Sequence, residues 1–400
     1  MKILSFEVVD LLGIQRVFRT TFNADLNIFT GRNGSGKTSV LKLMWYIMSG
    51  NILLALNEIP FQRATLTTDA YECVLIKLSR NTCKVEFTVV GGTKQIFEDQ
   101  SDEDAFANAE DEANPRLTEQ GSSVFFPTFR RIEGGFSLET TRPGNPTLRQ
   151  TAPFGRPARN DVEDALVALS RKLTNGNHIF VTAISTVDIV GLLLRQFTDL
   201  SEVSNRLQQS TSQDIIQRIK SFKQDEVATP NPDQSGTRRL LIDAVSVLDE
   251  ISASIVAMED QREATMSPIT AVQSLVQKLI RHSGIRFDAR LNFGDAANAV
   301  NSGVLSAGEK QMLSFICYNA FYKNTVFFVD EPELSLHVDW QRQLFSVLQN
   351  QKSSNQFVVA THSPFIYSKY PEKEILLSTD RGDEDEPLDA TAPKISDNPR

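Results

Sequence analysis

Eight consecutive residues carry the strongest chemistry in this chain: Gly31, Arg32, Asn33, Gly34, Ser35, Gly36, Lys37 and Thr38, with Ser39 directly behind them. They fit the pattern GxxxxGK[ST] between an apolar run, 26–30, and a helix-like segment. The glycines let the backbone curl until successive N–H groups point at phosphate oxygens. The start of the following helix adds a partial positive charge. Lys37 is placed to reach β- and γ-phosphates, and Thr38 to offer its hydroxyl to magnesium.

Three later stretches complete a constellation. In Thr325–Glu333 an apolar run ends in Asp330 and Glu331. A buried strand that delivers two carboxylates at its C-terminal end suits a cation: Asp330 for the magnesium shell, Glu331 as the general base that polarises an attacking water. In Leu305–Gln311, Ser306, Gly308 and Glu309 precede a helical run, so a serine hydroxyl and a backbone N–H make a second anion site. The apolar run 356–360 leads to Thr361-His362, a polar residue at a third strand end.

The segments that must position these groups are readable. Residues 2–9 and 17–30 read as strands, and 37–48 as a helix stopped by Ser49-Gly50. Alternation over 71–79 and 83–90 around Arg80-Asn81-Thr82 predicts a hairpin, followed by a short run at 93–97. Residues 98–112 hold eight acidic side chains without metal-loop spacing and read as a solvated loop. The run 123–129 reads as a strand bringing Arg130 and Arg131 to an edge. Residues 140–160 hold four arginines and four prolines and no acid, which predicts a mobile basic loop, either plainly solvated or touching phosphates. From 161 to 281 apolar stripes at helical period predict a compact helical lobe with a short projection, including a helix over 237–262 of about 39 Å. His178 opens a short strand; His178 and His282 read as structural or surface residues.

The 400 residues are 40% hydrophobic and 23% charged, with net charge −9, a balance that excludes a surface coated throughout by nucleic acid. Cys73, Cys83 and Cys317 show no CxxC spacing and read as buried free thiols of a reducing cytoplasm. No apolar run reaches about 18 residues, so no membrane partner is expected.

Together the four stretches resemble the ABC-type ATPase heads of the SMC, RecF and OLD-like group. Gly31–Thr38 is similar to their Walker A loop, Leu305–Glu309 to the signature, Phe327–Glu333 to Walker B, Ser335–His337 to the D-loop, and His362 to the switch histidine. The resemblance covers 1–135 and 285–378. It implies an α/β fold: a P-loop core with an antiparallel β lobe, plus an inserted helical lobe. The domains are then 1–135 (first half of the head), 136–160 (basic loop), 161–284 (helical insert), 285–378 (second half) and 379–400 (acidic tail).

The resemblance implies ATP and magnesium as cofactors, with Lys37, Ser306, Glu331 and His362 catalytic. It implies composite sites, in which Ser306 and Gly308 of one copy face Lys37 of another, in a homodimer or higher oligomer. Family members place a glutamine near the metal; here Gln95 and Gln120 are the candidates, and Phe126–Arg131 occupies that region. His337 stands where many transporters carry aspartate.

The wording around Glu331–His337 and Thr361–Pro364 looks most like ATPases of bacterial anti-phage systems of the PARIS and Septu type. That implies a separate effector, a TOPRIM or HNH nuclease, and a phage trigger as partners. The alternative is a RecF-like repair ATPase holding DNA through Arg130, Arg131 and the 140–160 arginines. A third reading is a scaffold that binds ATP and barely hydrolyses it.

Overall fold

The computed structural model describes residues 1–13, 17–102, 105–128, 130–132, 161–184, 186–227, 242, 244–265, 306–351 and 353–377. The basic loop 140–160, His282 and the tail beyond 377 lie outside them. The chain divides into two units: Met1–Ser185 with Ser306–Phe315 and Tyr322–Arg400, and Thr186–Leu305 with Ile316–Phe321.

The first unit is α/β, as expected, and holds two six-stranded sheets. One is antiparallel: β2 (Val17–Thr21), β1 (Ile3–Val9), β4 (Arg63–Thr68), β5 (Tyr71–Lys77), β6 (Cys83–Val89) and β7 (Gln95–Glu98), in that order. The hairpin predicted around residues 80–82 is β5–β6. The other is parallel, in the order β12 (His178–Phe180), β10 (Ser123–Phe126), β14 (Val326–Asp330), β15 (Gln356–Ala360), β3 (Leu26–Thr30) and β16 (Glu374–Leu376). Strands β3, β14 and β15 are buried along their whole length, which is why each reads as an unbroken apolar run rather than an alternating one.

Helix α1 (Lys37–Met48) packs among these sheets, with Leu41, Met44, Trp45 and Met48 fully buried. Helix α2 (Ile52–Glu58) follows it. Trp45 meets Phe125 and Phe180 with ring centroids 5.4 and 5.1 Å away, tying α1 to β10 and β12.

Two expectations are corrected here. The run 17–30 is not one strand: the chain bends at 22–25, so that β2 joins the antiparallel sheet and β3 the parallel one. Asn27 anchors that bend, its Oδ1 accepting from the Asn23 N–H at 2.7 Å. The acidic stretch 98–112 is not simply a solvated loop. It contains the end of β7, a small hairpin of β8 (Gln100–Asp102) and β9 (Ala105–Ala107), and the start of α3 (Ala109–Thr118). Charge count alone misses that Glu110, within the stretch, is buried.

The first unit also holds α4 (Asp161–Leu173) and a small pairing of β11 (Arg131–Ile132) with β13 (Ala183–Ile184). His178 is buried, its Nδ1 2.8 Å from the Ser123 hydroxyl, which is the structural role expected of it. All three cysteines are free and buried.

In the second unit, α5 (Thr186–Val227) runs for 42 residues, about 63 Å, longer than the projection expected. No glycine or proline interrupts residues 192–229, so nothing stops the helix earlier. A second helix, α6 (244–265), is joined to it by the ion pair Arg218–Glu250 at 2.6 Å. No side chain described in 201–221 or 244–265 is buried. Among the described residues, no helix is long and apolar enough to cross a membrane.

Candidate functional site

Three neighbouring parallel strands, β14, β15 and β3, end on the same edge of the sheet, the edge where ligands sit in parallel α/β folds. Each ends in polar residues: Asp330-Glu331, Thr361-His362, and the loop that opens at Gly31. The strand order thus gathers residues that lie up to 331 positions apart in the chain.

The loop turns into α1 at Gly36, whose φ of 94° lies in the left-handed region. A β-carbon there would also approach Leu12 Cδ1 to 3.2 Å, so both space and backbone favour glycine. Arg32, Asn33 and Gly34 are exposed, and Lys37 is only 6% exposed. The Lys37 ammonium donates to the carbonyls of Gly31 (2.8 Å) and Arg32 (3.1 Å). Burial lowers its pKa; the carboxylates of Glu331, Asp330 and Glu333 oppose that and favour the charged form.

Asp330 is 1% exposed and is held from both sides. The Thr38 hydroxyl donates to Oδ1 at 3.1 Å, and the Thr128 hydroxyl donates to Oδ2. Burial raises the Asp330 pKa, while these two hydroxyls and Arg130 pull it down. Two hard oxygen donors, Thr38 Oγ1 and the Asp330 carboxylate, converge here. That donor set fits magnesium, which takes few protein ligands and keeps waters.

Glu331 follows with φ 47°, and its N–H bonds the Ala360 carbonyl at 2.8 Å, joining the ends of β14 and β15. Burial raises the Glu331 pKa, and the nearby Asp330 and Glu333 carboxylates raise it further. Both effects make it a better proton acceptor than a free carboxylate.

Arg130 is the correction with most consequence. The sequence reading sends it to a sheet edge, yet β10 pairs with β14 on one side and β12 on the other, so its C-terminal end opens inside the site. The Arg130 guanidinium donates to the carbonyls of Pro127 (2.7 Å), Asp330 (2.9 Å) and Glu331 (3.2 Å), and lies 5.7 Å from the centre of the Phe315 ring. Burial lowers its pKa to about 10, which leaves it charged at neutral pH. Arg131 contributes its backbone to the β11 pairing.

Sequence reasoning also missed Thr128, whose hydroxyl stands beside the Asp330 carboxylate in the region where a glutamine was expected. Gln95 lies in β7, exposed, and Gln120 follows α3; neither joins this cluster. The hydroxyl two residues past a strand end was the available signal. Glu333 and Gln341 form a further layer. Glu333 Oε1 accepts the His362 N–H at 2.7 Å; Gln341 donates to the Leu336 carbonyl at 2.8 Å and accepts from the Ser363 hydroxyl at 2.6 Å.

The serine–glycine stretch opens α7 (Ala307–Phe321). Ser306 and Glu309 form a reciprocal cap: Glu309 Oε2 accepts from the Ser306 N–H and hydroxyl, each at 2.8 Å, and the Ser306 oxygen accepts the Glu309 N–H at 3.3 Å. Gly308 packs against the next loop so closely that a β-carbon would come within 2.5 Å of the Ser335 carbonyl. Among the described residues, no hydrogen bond links Ser306, Gly308 or Glu309 to residues 31–39 of the same chain. His337 caps α8 (Val338–Gln349), accepting from the Asp339 N–H, and is exposed.

Residues 184–368 match the family described as AAA domain, putative AbiEii toxin, Type IV TA system. The matched span is under half of the chain; it holds Ser306, Gly308, Asp330, Glu331 and His362, and excludes the loop at 31–38. Among solved structures, the chain is similar to the Smc head domain from Pyrococcus furiosus with an extended coiled coil, bound to the C-terminal domain of ScpA. Identity is 12% and the TM-score 0.38, over 95% of this chain and 94% of that one. It is similar to an SmcHead bound to the C-winged helix domain of ScpA at 12% identity and TM-score 0.37, over 96% and 95%.

Proposed function

We propose that this protein is an ATPase that binds ATP with magnesium at the loop 31–38 and hydrolyses it with water activated by Glu331. The contact of Thr38 with Asp330, 292 residues apart in sequence, carries the reading, because it joins the phosphate loop to the acidic strand end. Residues 31–39 would cradle the phosphates, with Lys37 on the β- and γ-phosphates. Thr38 and Asp330 would hold magnesium, which when bound neutralises phosphate charge. Glu331 accepts a proton from the attacking water, and Lys37 and His362 stabilise charge on the phosphoryl oxygens.

Ser306, Gly308 and Glu309 would complete the site of a second copy. Supporting this, they sit at a capped helix start and make no bond to the chain's own phosphate loop. Nucleotide state would then reshape an assembly. We further propose that this assembly controls a separate effector in anti-phage defence, in the cytoplasm. The wording of residues 331–337 and 361–364 supports that reading, as does the toxin–antitoxin description of the matching family. The DNA-repair alternative loses Arg130 as a phosphate contact, since its guanidinium is taken up by three carbonyls.

The test is a pair of variants measured for nucleotide binding and turnover. Lys37→Ala should weaken ATP binding by about tenfold or more. Glu331→Gln should bind ATP normally while turnover falls roughly a hundredfold or more. Wild-type turnover in Glu331→Gln would refute the assignment. In cells carrying the protein and its effector, Glu331→Gln should abolish protection from phage plaques.

A further inference from the structure

The acidic stretch after β7 folds back onto the start of β6. Asp99 Oδ2 accepts the Cys83 N–H at 2.6 Å, and Asp99 Oδ1 accepts the Ala109 N–H at 2.5 Å. One carboxylate thus ties the first residue of β6 to the first residue of α3. Glu110, the next residue of α3, turns inward. The result is that Cys83 Sγ, an Asp99 carboxylate oxygen and a Glu110 carboxylate oxygen lie within 4.8 Å of one another. Cys83 is fully buried, Glu110 is 6% exposed, and Asp99 is half-buried.

The charges in this cluster are not balanced by the protein. Among the described residues, neither Asp99 nor Glu110 pairs with a lysine, arginine or histidine. Asp99 has two backbone N–H groups. Glu110 Oε2 is buried and has no hydrogen-bond partner, and a carboxylate oxygen of the same side chain lies in the cluster. A buried carboxylate oxygen in that position calls for a proton or a cation. The donors decide between cations: a thiol beside two carboxylates suits a borderline-soft ion of the zinc type, which takes sulfur and oxygen in tetrahedral sets, and not magnesium or calcium.

We propose that Cys83, Asp99 and Glu110 bind one zinc-class divalent ion through a thiolate and two carboxylates, with a water completing the set. The thiol proton, and any proton held on Glu110, leave to solvent as the ion enters. The ion clamps α3 onto β6, a structural role separate from every residue of the nucleotide site. Because the three ligands come from the start of one strand, the end of another and a helix, their spacing of 16 and 11 residues carries no metal-loop signature.

Cobalt(II) titration of the chelator-treated full-length protein tests this directly. A thiolate–cobalt charge-transfer band should rise to one equivalent, zinc should displace it, and zinc should raise the melting temperature. Cys83→Ser should abolish the band, Glu110→Gln should weaken cobalt binding about tenfold or more, and Cys73→Ser, at the neighbouring buried thiol, should leave it intact. If Cys83→Ser does not fold, Glu110→Gln decides alone. Absence of the band in wild-type protein would overturn the proposal. So would a band unaffected by both site variants, or a Glu110→Gln protein that is more stable than wild type with zinc present, since that would mean Glu110 is simply a buried acid. None of these readings depends on ATP hydrolysis.

Discussion

The guanidinium of Arg130 donates to two successive carbonyls, those of Asp330 and Glu331, at 2.9 and 3.2 Å. Successive carbonyls converge on one donor group because Glu331 adopts φ 47°. For a residue with a β-carbon that conformation costs on the order of 1–3 kcal/mol, so something must hold it. Arg130 and the Glu331–Ala360 backbone bond do so. The backbone that carries the Glu331 side chain, the proposed activator of water, is thus held by an arginine 201 residues earlier in the chain.

Arg130→Lys should therefore separate chemistry from binding. A lysine cannot span three carbonyls with a planar fork, so Glu331 relaxes. Turnover should fall by about ten- to a hundredfold while ATP affinity stays within roughly threefold. The lost charge-assisted bonds should also cost about 1–3 kcal/mol in urea unfolding. Steady-state kinetics beside nucleotide titration checks this; an affinity loss equal to the turnover loss would show that Arg130 serves binding instead.

Thr128 makes a different prediction. Its hydroxyl and that of Thr38 fix the two oxygens of Asp330. Thr128→Val keeps the shape and removes one of these bonds, freeing the carboxylate to rotate. The magnesium concentration for half-maximal turnover should rise several-fold, by roughly 3–10 times, and Thr128→Ser should restore it. An unchanged magnesium dependence in the valine variant would remove Thr128 from the metal's surroundings.

Much of this site was legible because its signals are local. Gly31–Thr38 needs only a strand before it and a helix behind it, and Asp330-Glu331 announces itself by ending a buried apolar run. Arg130 was misplaced because an edge and a centre look alike in sequence: FFPTFR does not reveal that β10 lies between β12 and β14. Thr128 was missed since a hydroxyl after a strand is common and meaningful only once Asp330 faces it. The acidic stretch 98–112 was read by net charge, which is blind to one residue, Glu110, turning inward. The parallel core needed no such luck, because β3, β14 and β15 are uniformly apolar.

The position of Ser306 yields a test of assembly. If it completes a site whose Lys37 belongs to another copy, Lys37→Ala and Ser306→Arg should each be inactive alone. Mixed subunits should recover activity, because the pair leaves one intact site in each mixed dimer. Random pairing with independent sites predicts roughly a quarter of wild-type turnover. No recovery, with mixed dimers confirmed by tagged pull-down, would place both residues in one chain's site.

His178 gives a pH dependence that owes nothing to nucleotide. Burial in β12 lowers its pKa from 6.5 to about 4, against a smaller upward pull from the Thr118 backbone. The unfolded chain therefore binds the proton more readily than the folded one between those values. Stability from this residue is complete above pH 6.5 and is lost as the pH falls toward 4, amounting to roughly 3 kcal/mol in all. Carboxylates titrate in the same window, so the comparison must be with His178→Gln, whose side chain can still reach Ser123 and carries no titrating group. Urea unfolding of both proteins at pH 7 and at pH 4.5 should show the wild type losing about 2–3 kcal/mol more than the variant. Equal losses would mean that the imidazole gains its proton in the folded protein as easily as in the unfolded one, and that burial does not hold it neutral.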